Sequence, residues 1–111
     1  MKKPLLAVLL AICVSSAMAC ESYGTQGKIS DDGQEIIERT PIPLVEQARR
    51  YGSYAQAEES IENNRLAVIN SSHISASVKQ QIDSDLTRNR EQLKCWAQAC
   101  SNNASSPACL L

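Results

Sequence analysis

The residues able to do chemistry in this chain are few: five cysteines, one histidine and several clustered carboxylates. Cys13 falls within an apolar leader, which leaves Cys20, Cys95, Cys100 and Cys109, the even set that small exported domains use for disulfides. On a helix, Cys95 and Cys100 would stand about 140° apart with roughly 8 Å between their Cα atoms, outside unstrained disulfide geometry. One of them is therefore expected to pair with Cys109 and the other with Cys20. A redox-active thiol would want a Cys-x-x-Cys pair or a basic neighbourhood, and only Lys94 stands near. His73 has no Cys or His at ligand spacing in its own segment and reads as a solvated turn residue, so no metal is expected. Glu58, Glu59 and Glu62, and the pair Asp83 and Asp85, read as solvated helix faces. With no glycine-rich phosphate loop, no G-x-S-x-G elbow and no H-E-x-x-H, no catalytic residue and no cofactor are expected.

The elements that must carry these residues are bounded first by size. The chain has 111 residues, enough for one small domain. Residues 1–19 combine Lys2-Lys3, an apolar run over 5–14 and the small-residue triplet Ala17-Met18-Ala19, the pattern of a secretory signal peptide cleaved after Ala19. That apolar run is about half the length of a membrane-crossing helix. Without Lys2 and Lys3, the 11 basic residues become 9 against 12 acidic ones, a net charge of −3. Neither nucleic-acid binding nor membrane lysis suits that balance. Cys20 itself has two fates open to it. It could be acylated as the first residue of a lipoprotein, tethering the domain to a membrane, or it could enter a disulfide. Ala17-Met18-Ala19 is closer to an ordinary peptidase site than to a lipobox.

Residues 20–42, with Gly24, Gly27 and Gly33 and little apolar periodicity, read as a flexible N-terminal arm. Residues 43–111 read as a helical domain with a disulfide-pinned C-terminal tail. Pro43 suits a helix start, and Leu44, Val45, Ala48 and Tyr51 share one face. Gly52-Ser53 interrupts, with one bent helix or two both open; Tyr54, Ala57, Ile61, Arg65 and Val68 then continue a stripe to Ile69. A turn rich in Asn and Ser follows. The last helix, expected over 77–99, carries a heptad-like seam of Val78, Ile82, Leu86, Asn89, Leu93, Trp96 and Cys100. The fold expected is all-α: a small antiparallel helical hairpin or three-helix domain stapled by disulfides. Burial of only about 60–65% of the unfolded surface in so short a chain gives the staples their purpose.

Asn89 breaks the apolar seam where a hydrophobe is expected, so it is a candidate for fixing register or a partner; Trp96, the only tryptophan, is a candidate core or contact residue. The tail Cys100 through Pro107-Ala108-Cys109 resembles the cysteine-and-proline tail of plasmid exclusion lipoproteins, with different spacing and over that tail alone. The resemblance implies a place in conjugation. The function expected is that of a non-enzymatic exported interaction protein of the bacterial cell envelope. It would be periplasmic, bind another envelope protein, and meet the membrane only if Cys20 is lipidated. Such a protein could be an accessory part of a secretion or conjugation apparatus, or a periplasmic inhibitor or immunity protein. The alternative is a secreted disulfide-stapled effector or toxin.

Overall fold

Leu44 and Ala48, one helical turn apart and both fully buried, anchor the first helix, α1 (Leu44–Tyr51). The computed structural model describes residues 20–109, so the leader expected over 1–19 lies outside the described residues. Gly52 ends α1 with φ of 98°, a left-handed conformation that a side chain would strain. Ser53 then starts α2 (Tyr54–Ile69), its hydroxyl accepting from the Gln56 N–H at 3.1 Å. Residues 43–69 are thus two helices joined at one glycine. Ser75 caps α3 (Ala76–Asn102) in the same manner, accepting from Val78 N–H at 3.3 Å. At 27 residues α3 is about 40 Å long and overruns the expected span at both ends.

The disulfide-stapled three-helix domain expected from the sequence is present. The segment 20–42 is different: it is not a loose arm but most of an antiparallel β-hairpin, β1 (Tyr23–Ile29) and β2 (Ile36–Pro43). β-branched residues Thr25, Ile29, Ile36, Ile37, Thr40 and Ile42 favour extended chain. Asp31-Asp32 form the centre of the turn, closed by Gly33 N–H donating to Ser30 C=O at 2.9 Å, and Gly33 follows with φ of 73°. Asp32 accepts from the Ser30 hydroxyl at 2.7 Å and the Gln34 N–H at 3.1 Å, which together hold its carboxyl below its ordinary range. The hairpin tip is tied to the α2–α3 loop: His73 Nε2–H donates to Asp31 C=O at 2.7 Å and Ser75 N–H to Gly33 C=O at 2.9 Å.

One apolar cluster, Leu44, Ala48, Tyr54, Ala57 and Leu93, joins the three helices, with Ile42, Ile61, Trp96 and Ala97 packed against it. The tail folds back onto it. Ala108, in a 3-10 turn at Pro107–Cys109, is fully buried, and its carbonyl accepts from the Tyr54 hydroxyl at 2.5 Å. Burial raises the Tyr54 pKa above its ordinary 10.0.

Helices α2 and α3 are also clamped by charge. Arg65 sits in the apolar stripe of α2, yet its guanidinium reaches Glu62 at 2.7 Å and Asp83 of α3 at 3.0 Å, and Arg90 of α3 closes on Glu62 as well. The hydrogen bond from Arg65 is the first cause of a lowered Glu62 pKa. Glu62 and Asp83, read as solvated from their helical positions, are therefore interhelical partners.

Two outcomes follow from this architecture. Leu93→Ala should cost about 2–5 kcal/mol in chemical denaturation, because it empties a fully buried site at the junction of three helices. The depressed Glu62 pKa contributes stability that is present above the ordinary carboxylate value of 4.5 and disappears as pH falls through the folded-state value. The stability gap between the natural protein and Glu62→Gln should thus be open at about pH 7 and narrow on acidification to about pH 3.

Candidate functional site

Helix α3 has two jobs, divided between adjacent faces. On one face it serves as a substitute strand for β1. Asn89, only 2% exposed, accepts from Thr25 N–H through Oδ1 at 2.9 Å and donates through Nδ2 to Thr25 C=O at 2.8 Å. One turn on, Gln92 Oε1 accepts from Glu21 N–H at 2.8 Å, and Trp96 Nε1–H donates to Glu21 C=O at 2.7 Å. Such close approach depends on Gly24, since a Cβ there would stand 2.4 Å from Asn89 Oδ1. Arg88 adds an exposed ion pair to Glu21 at 2.7 Å.

This edge contact explains why β2 tolerates prolines. Both main-chain groups of Thr25 are spent on Asn89, so the Thr25–Pro41 pair exchanges no strand hydrogen bond, and Pro41 loses nothing by lacking an N–H. By the two-residue alternation of the ladder, the same holds for Pro43 opposite Tyr23.

On its other face α3 floors an open groove. The hairpin, α1 and α2 all pack on α3, and an open cleft of about 280 Å³ lies among them. Its walls and floor are largely aliphatic, with Ile29, Ile42, Ile61, Ile82, Leu86 and Leu93 contributing. Gln26, Gln47, Ser60 and Asn64 supply uncharged polar groups along it. Among the described residues Asp85 is the one charged residue of the lining, and it is buried. Its Oδ1 accepts from Arg39 of β2 at 2.7 Å and from Gln81 at 3.2 Å, while its Oδ2 is buried with no partner among the described residues.

Asp85 corrects the sequence reading of Asp83 and Asp85 as a solvated pair. The buried positions of α3 run Val78, Ile82, Asp85, Asn89, Leu93, so Asp85 occupies the seam and Leu86 moves to the groove beside it. The shift arises because α3 packs on the hairpin as well as on helices, and Arg39 reaches across from β2 to offer the aspartate a counter-ion. Asn89 is buried in the seam as its position implies, but its partner is the backbone of β1. Trp96 is half-buried against the core with its ring nitrogen bonded to Glu21 C=O. Position alone could not foretell Asp85; the Asp-Gly turn between Ile29 and Ile36 was the available signal for the hairpin that Arg39 belongs to.

The cysteines pair as Cys20–Cys95, with Cα atoms 5.6 Å apart, and Cys100–Cys109, 5.0 Å apart. The first ties the chain just ahead of β1 to α3; the second returns the tail to the end of the same helix. Both are bonds of an oxidising, extracytoplasmic environment. A thioether-linked lipid on Cys20 and the Cys20–Cys95 bond use the same sulfur and exclude each other. Among the described residues, no group of three or more His, Cys, Asp or Glu is placed to hold a metal, and no helix is long and apolar enough to cross a membrane. No family model, no curated protein and no solved structure matches the chain.

Asn89→Ala should destabilise the fold by about 1–3 kcal/mol, because it strands two part-buried main-chain groups of Thr25 and empties a buried position of α3. Asn89→Leu should fare no better despite its greater apolar bulk. Hydrogen exchange should show the Thr25 amide losing protection in both variants, and a protected Thr25 amide in Asn89→Ala would refute the assignment.

Proposed function

We propose that this chain is a non-enzymatic exported interaction protein of the bacterial cell envelope, working in the periplasm. The observation that carries this reading is the groove: an aliphatic cleft edged by uncharged amides and hydroxyls, on a chain in which charged residues make up 21%. Depletion of charge around an apolar centre is the composition of a protein-contact surface. The leader-like residues 1–19 and the two disulfides support export. An accessory role in a secretion or conjugation apparatus, or a periplasmic inhibitor or immunity role, fits a small braced domain with one such cleft. A secreted effector or toxin is the competing reading, and the destination of the protein separates the two.

The test is to recover the protein from its host, fractionate periplasm, membrane and medium, and measure intact mass with and without reduction and alkylation. The expected result is a periplasmic chain beginning at Cys20, carrying no lipid and taking up alkyl label only after reduction. A diacylglyceryl increment on Cys20 would move the protein to the membrane surface and break the Cys20–Cys95 bond; recovery mainly from the medium would favour the effector reading.

A further inference from the structure

We infer that the Cys100–Cys109 disulfide is a redox-sensitive latch: a dithiol reductant opens it ahead of Cys20–Cys95, and the released C-terminal tail uncovers the apolar site that Ala108 fills against Tyr54 and α3. The latch adds a regulatory device to the interaction reading above and does not depend on it. The two bonds differ in what else holds their ends together. Next to Cys20, Glu21 N–H donates to Gln92 Oε1 at 2.8 Å, Glu21 C=O accepts from Trp96 Nε1–H at 2.7 Å, and the Asn89 amide holds Thr25. Gln92 and Trp96 stand on either side of Cys95 in α3, so these contacts keep the two sulfurs together whether or not the bond is made.

The tail has far fewer ties. Its own hydrogen bonds run among residues 103–109, with Ser106 N–H donating to Asn103 C=O and Cys109 N–H to Ser106 C=O. Among the described residues, only the Tyr54 hydroxyl bonds the stretch beyond Asn103 from outside, donating to Ala108 C=O at 2.5 Å. Ala104, Ser105 and Pro107 are exposed, and Ala108 is the one buried residue of the described tail. A disulfide resists reduction according to the effective concentration at which the fold holds its two thiols, because reclosure competes with reduction. Once Cys109 is free, the tail regains chain entropy that one alanine methyl and one hydrogen bond offset only in part. The restraint on Cys100 and Cys109 is therefore weaker than that on Cys20 and Cys95.

The reductant is a dithiol of the Cys-x-x-Cys class or a small-molecule equivalent. Its first thiolate attacks one sulfur of the Cys100–Cys109 bond to give a mixed disulfide; its second closes the reductant's own S–S bond and expels the cysteine thiolate. Two electrons and two protons pass from the dithiol to Cys100 and Cys109. With the tail gone, the Tyr54 hydroxyl loses its carbonyl partner and the Ala108 site opens at the start of α2, while Leu44, Ala48, Ala57 and Leu93 keep their packing. A separation of only 9 residues keeps Cys109 near Cys100 after release, so an oxidant closes the latch again.

The experiment equilibrates the oxidised, exported chain with mixtures of reduced and oxidised dithiothreitol, traps free thiols by alkylation and maps the label by peptide mass. Cys100 and Cys109 are expected to take up label at a reduced-to-oxidised ratio at least about tenfold lower than Cys20 and Cys95 require, a gap of about 30 mV. In the half-reduced chain, NMR should find the Ala108 methyl at its unfolded shift and the Thr25 amide still protected from exchange. Tyr54→Phe, which removes the outside hydrogen bond to the tail, should ease reduction of Cys100–Cys109 by about two- to tenfold and leave Cys20–Cys95 unchanged. A chain carrying both Cys100→Ser and Cys109→Ser should show the released tail and the protected Thr25 amide at every ratio. Reduction of the two bonds together, or of Cys20–Cys95 first, would overturn the proposal, as would an unchanged midpoint in Tyr54→Phe. An Ala108 methyl that keeps its buried shift after Cys100 and Cys109 are labelled would also overturn it, since the tail would then stay seated without the bond. Loss of Thr25 protection on opening Cys100–Cys109 would overturn it in favour of a purely structural staple.

Discussion

The contact between the Asn89 side-chain amide and the backbone of Thr25 organises the molecule. An amide side chain offers one donor and one acceptor in a plane, the same pair a neighbouring strand residue would offer, so a helix can close the edge of a strand at one position. Two conditions make this possible: Asn89 must lie in the seam of α3, and residue 24 must have no Cβ. Once Thr25 is held, the ladder sets which residues of β2 turn their main chain outward, and Pro41 and Pro43 fall at those positions. A two-stranded hairpin is marginal alone in water. Here α3 supports its edge, His73 and Ser75 hold its tip, and Cys20–Cys95 fastens the chain just before it.

That arrangement leaves a thin core. Among the described residues only Leu44 and Leu93 are large side chains with full burial, and there is no phenylalanine anywhere in the chain. The remaining cohesion is spread over contacts of other kinds: the Tyr54–Ala108 hydrogen bond, the Arg65 bridge between α2 and α3, and two covalent links. Each disulfide contributes on the order of 2–4 kcal/mol, a large share of the stability of a domain this small. The hairpin and α2 are each fastened to α3 along their length and to each other only through the hairpin tip and α1, and a cleft stays open between them. The groove is thus a consequence of how the fold is braced, with Asp85 in its floor.

Much of the helical half was legible. The steps of four and three residues through Val78, Ile82, Leu86, Asn89 and Leu93 mark α3 because side chains at those spacings share a face whatever they pack on. Gly52-Ser53 marked the α1–α2 junction through two local effects, left-handed backbone and a hydroxyl cap. The hairpin was less legible, since Gly24 and Gly27 look like the composition of a loose segment until α3 is laid against them. Glycine reads as freedom in one context and as room for a neighbour in another. Asp85 was hidden for a related reason: a carboxylate beside Asp83 on a polar stretch looks solvated, and only Arg39, far away in sequence, makes its burial tolerable.

The amino-acid sequence by itself determined the local features: the helical segments, the Asn- and Ser-rich turn before α3, the even set of exported cysteines, and the exclusion of a Cys95–Cys100 bond by helical geometry. These follow from interactions among residues close in the chain, whose geometry is known before anything folds. The tertiary structure alone decided which cysteine meets Cys20, what Asn89 binds, where Asp85 lies and that a groove exists at all. Each of those depends on residues dozens of positions apart being brought within a few ångströms. A pattern read along one strand of sequence carries the face a residue belongs to, but not the surface which that face will meet.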